Sequence, residues 1–214
     1  MYEPHWTSGT PLYVPSGLGL ATAKVYPCED YGHLFDELNY MDGDPISLFI
    51  LHRNYTHLIE NHTIPEWWTE GLKEGEEGYP FLVVPIYAYE HSGIVLSCTP
   101  FSCRWDSGTW GFAYIKHEAL EKYPPGTPGL TPEFFREQIE SHVKYLSDLL
   151  SGNVWGYRVF DKYTEEELDS CWCIVGDKGE AEAMATESFH WHEKQLLLEG
   201  VQDIDCHSWY LSLV

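Results

Sequence analysis

The stretch that decides the fold is residues 80–117, PFLVVPIYAYEHSGIVLSCTPFSCRWDSGTWGFAYIKH. It contains three apolar runs, at residues 81–90, 94–98 and 109–116, and polar turn segments separate them. Runs of this length that are rich in β-branched and aromatic residues predict strands, and the short His91-Ser92-Gly93 segment predicts a hairpin. We therefore expect a three-stranded antiparallel meander, in which Pro85 marks an edge or a bulge.

The clearest helix follows at residues 131–152, TPEFFREQIESHVKYLSDLLSG. Thr131 is a suitable N-cap, Pro132 fits the first helical position, and Gly152 can end the helix. Apolar residues recur at helical spacing and form one stripe: Phe135, Ile139, Val143, Leu146 and Leu150. This pattern is typical of an amphipathic helix that packs on a sheet.

The flanking regions complete an α+β pattern. Residues 153–177 predict a hairpin and residues 180–199 a C-terminal helix, whereas earlier strands are expected at 11–14, 20–26 and 46–51 and a short helix within 31–40. The predicted fold is thus a mainly antiparallel sheet, a meander plus a hairpin, packed by one long amphipathic helix and a C-terminal helix. We expect a single domain over 1–214, with an irregular acidic part at 1–79 and an α+β core at 80–214.

The charge of the chain limits its partners. Thirty-four acidic residues face twelve Lys and Arg, and the net charge is −22. Such a surface repels nucleic acids and anionic membranes and favours basic proteins. Because a duplex carries one charge per ~1.7 Å, 22 charges equal the phosphates of about 11 base pairs. A globule of this length spans roughly 40 Å, about twelve base pairs, so charge and length match a short duplex.

The chain shows no basic, apolar leader at its start, and no run approaches the ~18 apolar residues of a membrane span. These features predict a cytoplasmic protein that binds neither a membrane nor nucleic acid directly. Six cysteines in 214 residues are too sparse for a disulfide scaffold, so reduced thiols are expected. No nucleotide-binding motif occurs, and no cofactor is predicted.

Three segments together resemble a known protein family. They are Tyr89-x-His91-Ser92-Gly93, the loop Pro100-Phe-Ser-Cys-x-Trp-Asp-Ser-Gly108 with the strand after it, and a later block, Asp169-Ser-Cys-Trp172. They resemble a family of proteins that phages, prophages and other mobile elements encode. Leu51-His52-Arg53-Asn54-Tyr55 also matches the family, although an acidic MDGDPIS segment precedes it here. The resemblance implies a phage-like origin and no catalytic assignment. With a phage-like origin, the predicted cytoplasm is that of the host cell.

The polar residues of this segment raise the alternative of an enzyme. Cys103 would be the nucleophile, His91 the base and Asp106 the orienting acid. A meander argues against this set, because a five-residue strand at ~3.3 Å per residue would keep His91 roughly 16 Å from the other two. It would instead place His91 and His117 at the same end of the sheet. Asp106-Ser107-Gly108 is also an ordinary turn sequence, so we expect a structural segment.

A metal site is the next alternative. Cys98 and Cys103 have a spacing that zinc ligands use, and Cys171 and Cys173 lie two positions apart. Two C-terminal pairs add potential ligands: His190 with His192, and Cys206 with His207. The order of these residues matches no zinc motif, and free cysteines commonly pack as small apolar side chains. We therefore predict no metal.

Two dense acidic clusters are the candidate binding residues, and both are expected in loops: Glu74, Glu76 and Glu77 in EGEEG, and Glu165, Glu166, Glu167 and Asp169 in TEEELD. The leading hypothesis is an acidic inhibitor that mimics nucleic-acid charge and blocks a host defence complex, such as a CRISPR effector or a restriction system. One alternative is a small hydrolase or metal-dependent modifying enzyme that uses the His, Cys and Asp residues above. Another is a structural or assembly protein of a mobile element.

Overall fold

The structure is a computed structural model, which describes residues 19–37, 45–59, 63–124, 127 and 129–211. Its strands are β1 (Ala21–Pro27), β2 (Ile46–Ile50), β3 (Leu82–Glu90), β4 (Ile94–Ser97), β5 (Ser107–Ile115), β6 (Val154–Asp161) and β7 (Glu167–Val175). Its helices are α1 (His33–Glu37), α2 (Glu66–Thr69), α3 (His117–Leu120), α4 (Pro132–Leu150) and α5 (Lys178–Leu211), with a 3-10 turn at Thr56–Leu58. The strands form two antiparallel sheets, which confirms the predicted α+β class.

The chain divides into two compact units, one of residues 30–152 and one of residues 1–29 with 153–214. The predicted strands at 20–26 and 46–51 are confirmed as β1 and β2, whereas the strand expected at 11–14 lies outside the described residues. β1 and β2 each join a sheet with strands from beyond residue 80, so the first 79 residues contribute to both sheets. The single-domain organisation stays a prediction.

Among the described residues, no helix is both long and apolar enough to cross a membrane.

The four-stranded sheet has the order β2-β5-β3-β4, so the predicted meander is wrong. β3 lies between β4 and β5 because the nine-residue connection after β4 carries the chain back across β3. The strand β4 pairs only with the last part of β3, from Tyr87 to Glu90. Pro85 lies in the part of β3 that β4 does not reach, beside a register shift between Ile86 and Tyr87, as a residue without an N–H group requires.

Helix α4 covers one face of this sheet, and the sequence predicted it well. The Thr131 hydroxyl accepts a hydrogen bond from the Phe134 N–H at 3.2 Å, Pro132 begins the helix, and Gly152 takes a φ of 73° just after it. Phe135, Ile139, Val143 and Leu146 of the predicted stripe are buried with the apolar side chains of β3, β4 and β5. Burial of this stripe supplies most of the stability of a helix that would be marginal alone.

The second sheet has the order β1-β6-β7, and β6 and β7 form the predicted hairpin. Helix α5 packs on it through Ala181, Ala185 and Phe189, which are buried against the small residues of β1 and against Val159. The small side chains of Ala181 and Ala185 let the helix backbone approach the strands closely. The buried Glu193 carboxylate accepts the N–H groups of Gly19 and Leu20, at 2.8 and 3.2 Å, and so attaches the start of β1 to α5.

Candidate functional site

Three polar segments of residues 30–152 meet at one end of the four-stranded sheet: residues 51–55, 89–93 and 100–108. β5 is antiparallel to both of its neighbours, so its start lies beside the ends of β3 and β2, with Tyr89 opposite Ser107 and Ile50 opposite Gly111. The chain after β2 stays at this end, because the N–H groups of Leu51 and His52 both donate to the Trp110 carbonyl, at 2.9 and 3.0 Å. Residues distant in sequence thereby form one polar cluster.

The centre of this cluster is the Asp106 carboxylate. Its Oδ2 atom lies 3.6 Å from His91 Nδ1 and accepts a hydrogen bond from the Cys103 thiol at 3.8 Å. The backbone holds these groups in place, since the Glu90 N–H donates to the Asp106 carbonyl at 2.7 Å and the Ser107 hydroxyl donates to the Cys103 carbonyl. The expected separation of roughly 16 Å is therefore wrong, because it assumed a meander.

The contacts define which chemistry this set can perform. Asp106 lies between the thiol and the imidazole, so the structure shows an aspartate–histidine pair and not the cysteine–histidine pair of a thiol nucleophile. An aspartate on Nδ1 fixes the tautomer of a histidine and directs Nε2 outward, which is how a general base is oriented. The His91 side chain is 70% exposed, so solvent reaches it.

A second polar group lies beside the first. His52 Nε2 is 3.5 Å from Glu90 Oε1, and the His52 and Tyr55 rings are 5.0 Å apart between centroids. Burial, and with it the neighbouring Glu90 carboxylate, raises the pKa of Tyr55. His52 Nδ1 and Trp110 Nε1 are buried and have no hydrogen-bond partner among the described residues. His52 and Tyr55 both lie in residues 51–55, one of the segments quoted for the family resemblance, so that segment was the sequence feature that could have indicated them.

His117 does not belong to the cluster, and the prediction that it shares an end with His91 is wrong. It follows β5, whose last residue, Ile115, lies opposite Leu82 at the start of β3. His91 follows the other end of β3. The His117 ring contacts Phe81, with centroids 5.8 Å apart. The cause is again the strand order, since β5 runs antiparallel to β3, whereas the third strand of a meander runs parallel to the first.

The predicted acidic clusters differ in their structural setting. Glu74, Glu76 and Glu77 are exposed in the loop between α2 and β3, where Glu76 accepts a hydrogen bond from the Lys73 N–H at 2.7 Å. Glu165 and Glu166 are exposed in the turn between β6 and β7. Glu167 and Asp169 lie within β7, so their expected loop position is wrong.

Both strand acids already have partners in the same unit. Arg158 forms an ion pair with Glu167 across the hairpin. Asp169 Oδ2 accepts hydrogen bonds from the Tyr157 hydroxyl at 3.3 Å and from the Ser188 hydroxyl, and His192 Nε2 lies 4.0 Å away. Glu167 and Asp169 therefore differ from the loop acids, because each already has a polar partner within the same unit.

An open cleft of about 470 Å³ lies at Asp169. It is lined by Tyr157, Asp169, Met184, Glu187, Ser188, Trp191 and His192. Five of these residues follow one face of α5 at positions 184, 187, 188, 191 and 192, which is the spacing of neighbours on a helix surface. Sequence reasoning missed this cleft, although Asp169 belongs to the later block of the family resemblance.

No family model, curated protein or solved structure matches this chain.

The cysteines and histidines show no metal centre in the part of the chain that the structure describes. There, the His, Cys, Asp and Glu side chains form no group of three that could hold a metal ion. Cys98 is half-buried, and burial, then the Glu140 carboxylate, raises its pKa to about 11. The Cys28 and Cys173 sulfur atoms lie 3.8 Å apart. The side chains of Cys206 and His207 lie outside the described residues.

Proposed function

We propose that this protein is a phage-type acidic inhibitor that binds the basic surface of a host nucleic-acid-handling defence complex and blocks it in the host cytoplasm. The observation that carries the proposal is a net charge of −22 together with an exposed, glycine-spaced loop that presents Glu74, Glu76 and Glu77. The resemblance of the His91 and Asp106 segments to proteins of mobile elements supports a target in host defence.

The loop suits this role for a physical reason. A channel that binds nucleic acid presents Lys and Arg side chains, and these attract a surface that reproduces the charge of the phosphates. Acids on a loop with glycines on both sides can adjust to the positions of those cations. Exposed charges at the rim of an interface chiefly increase the association rate, and salt screens their effect.

The test is binding to purified CRISPR effector and restriction complexes, by titration calorimetry at several NaCl concentrations. Reversal of Glu74, Glu76 and Glu77 to Lys should weaken binding by about tenfold or more, because the loss of close charge pairs at interfaces costs this much or more. Reversal of Glu165 and Glu166 gives a second loop variant in the other unit. We expect wild-type binding to weaken as NaCl rises.

The matched control reverses three exposed acids of α4, Glu133, Glu137 and Glu140, which changes the total charge equally. Equal losses in the loop and helix variants would indicate general attraction without a contact surface. Absence of binding at low salt, or binding that salt does not affect, would contradict charge mimicry.

A second candidate function is a small hydrolase or modifying enzyme, and the His91–Asp106 pair favours it. The Asp106 carboxylate lies 3.6 Å from His91 Nδ1, on the side from which an aspartate orients a general base, and the Cys103 thiol donates a hydrogen bond to the same carboxylate. The test is phage plating on hosts that carry the defence system and express the variants Asp106→Asn, His91→Gln or Cys103→Ser. His117→Gln is the control, because His117 lies at the other end of β3. Full protection by all three folded variants would remove the catalytic role.

A further inference from the structure

The cleft at Asp169 combines carboxylates with exposed apolar walls. Asp169 and Glu187 supply the negative charges, while Trp191 and Met184 remain 58% and 43% exposed. Large apolar side chains at this exposure, beside carboxylates in a cleft, are typical of a ligand site. The volume of about 470 Å³ falls in the range of sites for small ligands or single side chains.

The contacts of Asp169 leave part of its carboxylate accessible. The Tyr157 and Ser188 hydroxyls and the His192 ring all approach the same oxygen, Oδ2. The Asp169 side chain is 37% exposed, and all of these polar partners lie on Oδ2 and none on Oδ1. The two hydroxyl donors fix the orientation of the carboxylate, so a ligand meets an acceptor that is already positioned.

The charge around the cleft favours a cation. Residues 153–200 contain eleven Asp and Glu against four Lys and Arg. Arg158 is paired with Glu167, and Lys178 is paired with Glu182 at 3.0 Å. The Trp191 and Tyr157 rings add a quadrupole that attracts a cation close to their faces. A cation therefore gains from the carboxylates and from the rings together.

We propose that this cleft binds an alkylammonium group, with its apolar stem against Met184 and Trp191 and its charged head at Asp169 and Glu187. A primary ammonium fits better than a guanidinium, because Asp169 Oδ2 already accepts two hydroxyl donors and a guanidinium prefers a carboxylate with both oxygens available. The group is the side chain of a lysine in a partner protein or the end of a free polyamine. The site depends on the cleft alone and does not require the proposed blocking function.

The experiment uses methyl-labelled methionine, because the chain contains three methionines and Met184 lines the cleft. The probes are N-acetyl-lysine methylamide, spermidine, N-acetyl-arginine methylamide and the norleucine amide, which has an apolar side chain and no charge. We expect the lysine or spermidine probe to shift the Met184 methyl resonance in a saturable way. Tighter lysine binding would indicate a protein ligand, and tighter spermidine binding a polyamine; either result supports the site.

The variants Asp169→Asn and Glu187→Gln remove one charge each and retain the shape of the side chain. We expect each to weaken ammonium binding, by about tenfold for Asp169→Asn, since a hydrogen bond to a charged group contributes that much. Glu199→Gln is the matched control, because Glu199 is an exposed acid of α5 that does not line the cleft. This variant should bind the ammonium probes as tightly as the wild type does.

Three results would overturn the proposal: no saturable shift with either ammonium probe, equal binding of the norleucine amide, or unchanged binding in both charge variants. Tighter binding of the arginine probe would overturn the choice of an ammonium. Should Asp169→Asn fail to fold, as judged by circular dichroism, Glu187→Gln decides the test, since Glu187 is exposed and its replacement leaves the Asp169 contacts intact.

Discussion

At the scale of single residues, two aspartates organise the polar chemistry of this protein. Asp106 joins the Cys103 thiol and the His91 ring in one unit, and Asp169 joins Tyr157 and Ser188 in the other. Both side chains are more than one-third exposed. Each carboxylate is therefore held by donors and still open to a ligand, which distinguishes them from the solvated acids of the loops.

Gly156 provides a residue-scale test of the second sheet. It lies in β6 opposite Tyr26, and a Cβ atom at this position would overlap the ring of Trp172. Gly156→Ala should lower the free energy of unfolding by about 1–3 kcal/mol, because a crowded core forces side chains and backbone to shift. Urea denaturation measures the loss. Gly108→Ala is the control, because a Cβ there meets open space, and equal losses in both variants would contradict the steric explanation.

The Cys98 thiol should be slow to react at neutral pH. Burial, followed by the Glu140 carboxylate, raises its pKa to about 11, and the thiolate is the form that reacts. Peptide mass spectrometry of iodoacetamide alkylation across a pH series should show Cys98 modification rising up to about pH 11 in the folded protein. In urea the rise should occur near the ordinary value of ~8.5. A plateau below pH 9 in the folded protein would contradict this burial effect.

At the scale of elements, α4 protects the edge of the four-stranded sheet. β4 is an edge strand, and such strands expose unpaired backbone groups. The Ser147 hydroxyl accepts a hydrogen bond from the Leu96 N–H at 2.9 Å, and the Ser151 hydroxyl donates to the Ile94 carbonyl at 2.5 Å. Ser147 of α4 and Ser151, the residue just after it, thus take the place of a further strand.

Ser147→Ala tests this protection. The substitution leaves the Leu96 N–H buried without its acceptor, and the expected loss is about 1–3 kcal/mol in the free energy of unfolding. Hydrogen exchange of the Leu96 amide should also accelerate, because the local opening that exposes this amide to solvent costs less free energy. Ser141→Ala on the exposed face of α4 should change neither quantity. An unaltered Leu96 exchange rate in the Ser147 variant would show that the hydroxyl is not the protecting group.

At the scale of the whole molecule, a net charge of −22 on 214 residues makes self-repulsion part of the energetics. Like charges destabilise the compact state, and salt screens them over about 10 Å at 0.1 M. The same charge keeps copies of the protein apart and attracts basic partners. The stability of the protein and its affinity for basic partners therefore both depend on ionic strength.

Added salt should stabilise the protein. We expect the Tm to rise between 20 mM and 500 mM NaCl, because screening weakens the repulsion among the acids. Scanning calorimetry measures the shift. The triple variant Glu74→Gln, Glu76→Gln and Glu77→Gln carries three fewer negative charges and should show a smaller rise. A Tm that does not change with salt, or the same rise in both proteins, would contradict this explanation.

The sequence by itself determined the elements and their local chemistry. The cap at Thr131, the apolar stripe of α4 and the turn at His91-Ser92-Gly93 each depend on neighbours within a few positions, so their patterns are visible in the chain. The exposed loop with Glu74 was predictable for the same reason. The residues of the Asp106 cluster were identified as chemically capable, but their proximity was not.

Only the tertiary structure decided which elements are neighbours. Backbone hydrogen bonds between strands are the same for any partner. The connection after β4 is long enough to place β5 either beside β4, as in a meander, or beside the free edge of β3. The placement of β5 beside β3 brings Asp106 to His91 and takes His117 away, and the packing of α5 on the second sheet brings Ser188 and His192 to Asp169. The spacing of apolar residues along a helix or strand specifies which of its faces is buried. The pairing of strands depends instead on how all the buried faces fit together.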